Sequence, residues 1–441
     1  MSAGGHIGRV GGLAVALGIG AAVWTGLGAG TAAADSGASS SADSASSHQT
    51  PKAKGTATSA RGSLTSAVAS KRRTAANVSG PATPAAPIAL SQVATSVGAA
   101  RRVTPSIAQP TSAETVAAEP VPAATNSVTY TAPPTLGDQI TLASLRFLRV
   151  ISNVIGIDLY GQIGKAMASA NPPSFLLGGL TATKTTYTTA EGAEWKVWEF
   201  TPANPSGEAV IALHGGGFIL QPILLHWIDY TNMARDTGAT VIVPMFPLAT
   251  TEAGAAVHTV PAMADFISAQ IDTFGADNVS IYADSAGPIM ALSAVRLLIK
   301  ADKPIPASMV LISFAPDPTL SNPDIKKTND PVFNLNDLEF YTNTNHWSDG
   351  LEMTDPLINT MAFEPEVLKA LPPTTVYVGS TEFVLPDNLL FQKKVVDAGG
   401  TMSLVIGRGQ IHDWALGVPI NSQAMVVRKD IYRELGLTDT V

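Results

Sequence analysis

From residue 194 to the C-terminus, short apolar runs that read as strands alternate with longer stretches of helical period, and this alternation constrains the fold most. "EWKVWEFTP" alternates as a strand, and "EAVIALHGGGF" is a short buried strand running into glycines. "LLHWIDYTNMARDTGA" reads as a helix stopped by Gly238, and "TVIVPMFPLA" as another buried strand. A helix over 257–274, a strand at 278–283, a helix at 287–301 and a strand at "ASMVLISF" continue the series. Residues 316–371 are irregular and rich in Asn, Asp and Pro, with short helices expected. Then come a strand "TTVYVGS", a helix "NLLFQKKVVDAG", a strand "MSLVIGRG" and a last helix through about Leu435. Strand-helix alternation of this kind predicts a mostly parallel, doubly wound α/β sheet with sites at the carboxyl ends of its strands. Ahead of it, Leu142, Leu145, Leu148, Ile151 and Ile155 fall at helical intervals, so one or two amphipathic helices open the domain.

Two strand ends in this series carry chemistry. "SIYADSAGPI", residues 280–289, runs a strand into a small-residue turn with Ser285 at its apex. A serine hydroxyl becomes a nucleophile only when a base takes its proton and the turn presents its oxygen. Such a turn needs little side-chain volume, because strand and helix backbones pack closely; Ala283, Ala286 and Gly287 meet that demand. The hydroxyl of a helix cap is the plainer reading of A-D-S-A-G taken alone. "LHGGGF", Leu213 to Phe218, lies about seventy residues upstream and also follows a strand. Consecutive glycines let backbone N–H groups approach a developing oxyanion with no Cβ in the way. Together the two turns match the nucleophile elbow and the HGGG-type oxyanion loop.

On these residues, with "VPMFPLA" at 243–249, "GSTEFVLPD" at 379–387 and "IHDW" at 411–414, the chain resembles the hormone-sensitive-lipase-like esterases and acetyl-hydrolases of the α/β-hydrolase fold. The resemblance covers roughly residues 135–435. It implies that the N–H groups of Gly216, Gly217 and Ala286 hold the oxyanion and that His214 braces the glycine loop. It also implies that the opening helices and the 316–371 segment act as helical cap elements shaping the acyl and alcohol pockets. The departures are Ala283 in place of the elbow glycine and Pro288 after the turn, the latter compatible with a helix's first turn.

Chain order selects the remaining members of the triad, because in this fold the nucleophile precedes the acid and the acid precedes the base. Of seven histidines only His346 and His412 follow Ser285. His412 comes after the last strand, where the base is expected; His346 sits in the irregular segment and reads as a surface residue. The acid should leave the end of "TTVYVGS", which offers Glu382 and, as the alternative, Asp387. Glu can replace Asp, since this group orients the imidazole and stabilises its cation without being protonated. The expected activity is a serine carboxylesterase acting on short acyl or acetyl esters or on lipids. The alternatives are a lipase, thioesterase or amidase on the same triad, or a non-catalytic envelope-associated module of the same fold. No cofactor or metal is implied: there is no cysteine and no H-E-x-x-H, and the glycine loop lacks a phosphate-binding lysine.

The first 130 residues read differently. Val10 to Gly30 is apolar and small, and "TAAADS" follows, so residues 1–34 match a signal peptide that would export the chain. Residues 35–130 are Ala, Ser, Thr, Pro and Val with few aromatics. They are expected to be a disordered linker, leaving 131–441 as the catalytic domain. Residues 1–130 hold nine basic and four acidic residues, a balance of +5, against 18 and 31 in the remainder, a balance of −13. The basic clusters at 71–73 and Arg101-Arg102 are compatible with contact to an anionic envelope or with a solvated linker. The acidic remainder gives no reason to expect nucleic acid.

Overall fold

The central strands are apolar along their whole length because both faces of the sheet are covered. In the computed structural model, which describes residues 125–333, 346–416 and 421–438, "AVIAL" forms β4 (Ala209–Leu213) with every residue buried. Ala209, Ile211 and Leu213 face one core and Val210 and Ala212 the other. The period of two that splits them is the pleat itself. The same division runs through β6 (Val279–Asp284), where Ile281 and Ala283 oppose Tyr282, and through β7 (Ser308–Ile312) and β8 (Thr374–Gly379). Helices α4 (Ala256–Phe274), α5 (Gly287–Lys300) and α7 (Leu385–Asp397) cover the first face, with α6 (Pro365–Ala370). Helices α3 (Leu224–Thr237) and α8 (Ser422–Glu434) cover the second.

The sheet has nine strands in the order β1-β9-β8-β7-β6-β4-β5-β3-β2, completed by β1 (Val128–Tyr130), β2 (Leu180–Thr188), β3 (Glu194–Pro202), β5 (Thr240–Met245) and β9 (Met402–Gly407). From β1 to β5 every pairing is parallel, while β3 runs antiparallel to both β5 and β2. This is the α/β-hydrolase fold with the mostly parallel sheet expected. Each strand and helix read from 194 onward is present, with ends that differ by up to four residues, as for the strand read through Ala249 that stops at Met245 and the helix read from Asn388 that begins at Leu385. Edge strand β2 has no counterpart in the sequence reading, because "LTATKTTYT" is Thr-rich and mostly exposed, with no apolar face to read.

The expected signal peptide, 1–34, and the linker through residue 124 lie outside the described residues. The linker boundary at residue 130 requires correction. Val128–Tyr130 pairs in parallel with Leu404–Ile406, Thr125 N–H donates to Ser403 Oγ at 3.0 Å, and Asn126 Oδ1 accepts from Met402 N–H at 2.8 Å. Backbone pairing to an open sheet edge needs little from side chains, so composition does not reveal it.

After β1 come α1 (Leu136–Ile155) and α2 (Leu159–Met167), joined by a bend of 111°. Thr135 and Asp138 cap α1 reciprocally, and Gly156 ends it in a left-handed conformation at φ 65°. The irregular segment between β7 and β8 holds 3₁₀ turns at Pro323–Lys327 and Thr360–Ala362 besides α6.

Candidate active site

Strand β6 ends at Asp284, and the chain then reverses into α5 through Ser285, whose φ of 53° is a left-handed backbone that costs a non-glycine residue about 1–2 kcal/mol. The turn is held by the Ser285 N–H, which donates to Ile312 O at 2.8 Å. Gly287 begins the helix so close to β4 that a Cβ there would stand 2.2 Å from Leu213 O. Ala283 is buried beside Leu213 and Leu311. Small residues surround Ser285 because two strands and a helix meet there, and the hydroxyl is left facing a cavity.

His412 reaches that hydroxyl from the loop after β9, with Nε2 2.9 Å from Ser285 Oγ. On the other side of the ring, Nδ1 donates to Glu382 Oε2 at 2.9 Å, which leaves Nε2 as the acceptor for the serine proton. Glu382 is fully buried at the end of β8, where Oε1 accepts from Ser313 Oγ at 2.8 Å and from the Gly379 N–H. Asp387, one turn further on in α7, accepts from Asn322 Nδ2 at 2.8 Å and does not bond His412. Burial pushes its carboxyl up. His346 sits elsewhere, its Nδ1 2.6 Å from Asp349 Oδ2 at the surface. Desolvation disfavours the charged His412 ring, yet Asp413, Glu382 and Asp330 together outweigh it and raise the ring to about 10.

The glycine loop is fixed to the serine turn from behind. Gly215 N–H donates to Asp284 Oδ2 at 3.0 Å, and His226 Nε2 donates to the same oxygen at 2.9 Å. Desolvation opposes charge on His226, but the Asp284 carboxylate outweighs it and raises the ring. His214 Nδ1 lies 2.7 Å from Gly215 O, its ring is stacked on Phe246 at 4.5 Å, and burial lowers it to about 4, so it braces the loop as a neutral ring. Gly216 and Gly217 have φ of 102° and 60°. Among the described residues the N–H groups of Gly216, Gly217 and Ala286 donate to no protein acceptor, and all three residues line the cavity with Ser285 and His412.

That cavity holds about 560 Å³. Leu142, Leu145 and Leu148 of α1 and Ile163 and Met167 of α2 form one wall, and Phe333 and Met353 of the irregular segment form another. Sequence reasoning did not find Ser313, Asp330, His226 or Asp413. Ser313 Oγ donates to Glu382 Oε1, and Asp330 accepts the N–H groups of Val332, Phe333 and Phe383. Only Asp413, adjacent to His412, had a signal in the sequence.

Residues 210–416 match a family model described as the alpha/beta hydrolase fold. A triacylglycerol lipase of Mycobacterium tuberculosis is 39% identical over 249 residues, 56% of this chain and 51% of that protein. An esterase of Acinetobacter venetianus is 27% identical over 202 residues, 43% and 62% of the two chains. The matched segment thus spans roughly half to three-fifths of these relatives. A hormone-sensitive lipase from a metagenome library superposes with a TM-score of 0.58 at 20% identity, over 69% of this chain and 99% of that one. An esterase from Staphylococcus aureus, described as a candidate, gives 0.54 at 23%, over 66% and 94%.

Proposed function

We propose that this domain, which has the α/β-hydrolase fold, is a serine carboxylic ester hydrolase of the hormone-sensitive-lipase-like group, with Ser285, His412 and Glu382 as its triad. The observation that carries this reading is the continuous chain from Ser285 Oγ through the His412 ring to buried Glu382, 2.9 Å at each step, opening on an apolar cavity. Ser285 Oγ attacks the ester carbonyl carbon while its proton passes to His412 Nε2. Glu382 stabilises the imidazolium and remains ionised. The oxyanion is held by the N–H groups of Gly216, Gly217 and Ala286, each donor contributing about 3 kcal/mol. His412 then protonates the departing alcohol, and water releases the acid from the acyl-enzyme.

The cavity favours acyl chains longer than the acetyl and short-chain groups expected from sequence. At about 560 Å³ it falls within the roughly 300–1,000 Å³ of small-molecule pockets, and its lining is mainly apolar, with Leu and Ile prominent. A lipase-like substrate range is therefore favoured over an acetyl esterase. Hydrolysis of p-nitrophenyl esters from acetate to palmitate, with Ser285→Ala as control, tests this. An optimum at acetate would refute the acyl-chain assignment, and full activity in Ser285→Ala would refute the mechanism. Export and contact with the cell envelope form part of the same reading, supported by the pattern of residues 1–34 and the basic linker. Fractionation of cells expressing the full chain tests both.

A further inference from the structure

We propose that Asp413 holds and orients the water that attacks the acyl-enzyme, serving deacylation rather than acylation; this rests on the serine-hydrolase reading above. Asp413 Oδ2 lies 3.6 Å from His412 Nε2, the nitrogen that also faces Ser285 Oγ at 2.9 Å. That gap is too long for a direct hydrogen bond and short enough for one water to touch both atoms. The side chain lines the cavity with Ser285 and is 23% exposed, so water reaches it. Its other oxygen, Oδ1, is buried and accepts no hydrogen bond among the described residues.

The position is built rather than incidental. Asp413 has a left-handed backbone, φ 57°, and its N–H donates to Ser313 Oγ at 3.0 Å. The same hydroxyl donates to Glu382 Oε1 at 2.8 Å, so one serine fixes both the triad acid and Asp413. His412, Asp284, Glu382 and His226 face the carboxyl, and Tyr230 lies within its field. Burial among these acids pushes the carboxyl up to about 7, with His412 opposing. An oxygen such as Oδ1, buried without a hydrogen bond from the protein among the described residues, costs stability, while Oδ2 is open to the cavity. Holding a reacting water accounts for it.

The step balances as follows. After the alcohol leaves, His412 is neutral at Nε2. The water donates one O–H to Nε2 and the other to Asp413 Oδ2, which turns a lone pair toward the acyl carbon. As the water oxygen bonds to carbon, its proton passes to Nε2 and the carbonyl electron pair moves to the oxygen in the oxyanion site. Collapse breaks the carbon–Oγ bond, Ser285 Oγ recovers the proton from Nε2, and the acid leaves. Asp413 exchanges no proton. In acylation the serine hydroxyl occupies Nε2 and no such water is needed.

The test is pre-steady-state hydrolysis of p-nitrophenyl butyrate by the full chain and its Asp413→Asn variant, which keeps the shape and tolerates a left-handed backbone. The expected result is a burst of one p-nitrophenolate per site, then steady turnover lowered about tenfold or more. KM should fall in parallel, leaving kcat/KM, read on its high-pH plateau where His412 is neutral in both, within about threefold of the parent. Asp413→Ser, with thermal melts beside both variants, provides a second substitution and should show the same burst. Equal losses in kcat and kcat/KM, unchanged turnover, or a raised KM at constant kcat would each overturn the role of Asp413; the last would mark it as a substrate-binding group. Parent activity that survives Ser285→Ala would instead overturn the serine mechanism, and this inference with it.

Discussion

The Asp284 carboxylate accepts the Gly215 N–H at 3.0 Å, tying the residue before the candidate nucleophile to the loop that carries the oxyanion glycines. Sixty-nine positions separate the two in the chain. His226 binds the same oxygen, so one buried carboxylate sets the distance between the attacking oxygen and the groups that would receive the negative charge.

Asp284→Ala should therefore cost both stability and rate. It removes the acceptor of both the Gly215 N–H and the His226 Nε2–H, and each buried donor left unsatisfied costs about 1–3 kcal/mol. Urea unfolding would read the stability. Initial rates at a temperature where the variant is folded should show a loss of about tenfold or more. A variant as stable as the parent would mean that the carboxylate does not anchor the loop.

The two acids near the end of β8 should behave very differently. Glu382→Gln replaces the acceptor of His412 Nδ1–H, and turnover should fall by about 10³–10⁴, as when a triad acid becomes an amide. Asp387→Asn should remain within a few-fold of the parent, because Asp387 bonds Asn322 and not His412. Equal effects in the two variants would remove Glu382 from its assigned role.

Ala283 offers a test of the turn. It is fully buried, with Leu213 and Leu311 as its strand partners. Ala283→Val should cost about 1–3 kcal/mol through overpacking and lower activity by displacing Ser285. Ala283→Gly should retain activity. Full activity and an unchanged melting temperature in Ala283→Val would show that space at this position is not limiting.

The pH dependence follows from the acids around His412. Asp413, Glu382 and Asp330 raise the ring against its desolvation, and only the neutral ring can take the serine proton. The ascending limb of kcat/KM should therefore lie above the ordinary histidine value of about 6.5, with activity increasing as pH rises through it. Asp330→Asn should move the limb toward lower pH by removing one negative charge. An ascending limb at or below pH 6 in the parent enzyme would contradict the raised ring.

Removing β1 should destabilise the domain, whereas removing only what precedes residue 120 should not. Residues Thr125 to Tyr130 bond Ser403, Met402 and the edge of β9. A chain begun at residue 132 should unfold at lower urea than one begun at residue 120, with activity on a soluble ester followed in both. Equal midpoints would return the domain boundary to residue 131.

Much of this fold is written locally. The buried strands are legible because a strand covered on both faces must be apolar throughout, as "AVIAL" and "SMVLI" are. The serine turn and the glycine loop are legible because close backbone approach admits only small residues, and Gly287 and Gly215 show how little room there is. Fold order then singled out His412, since the base must follow the last strand. Tertiary structure decided the rest. Glu382 and Asp387 are five positions apart, and only the path of β8 into α7 brings one carboxylate to the ring and turns the other toward Asn322. β1 carried no signal because an edge strand is held by backbone bonds to β9 that any sequence can make. Ser313, Asp330 and His226 are ordinary polar residues in the chain; folding brings them from three separate segments to Glu382, the His412 ring and Asp284. Spacing along a chain records local geometry, whereas charge and hydrogen bonding across a buried site depend on distances that only packing creates.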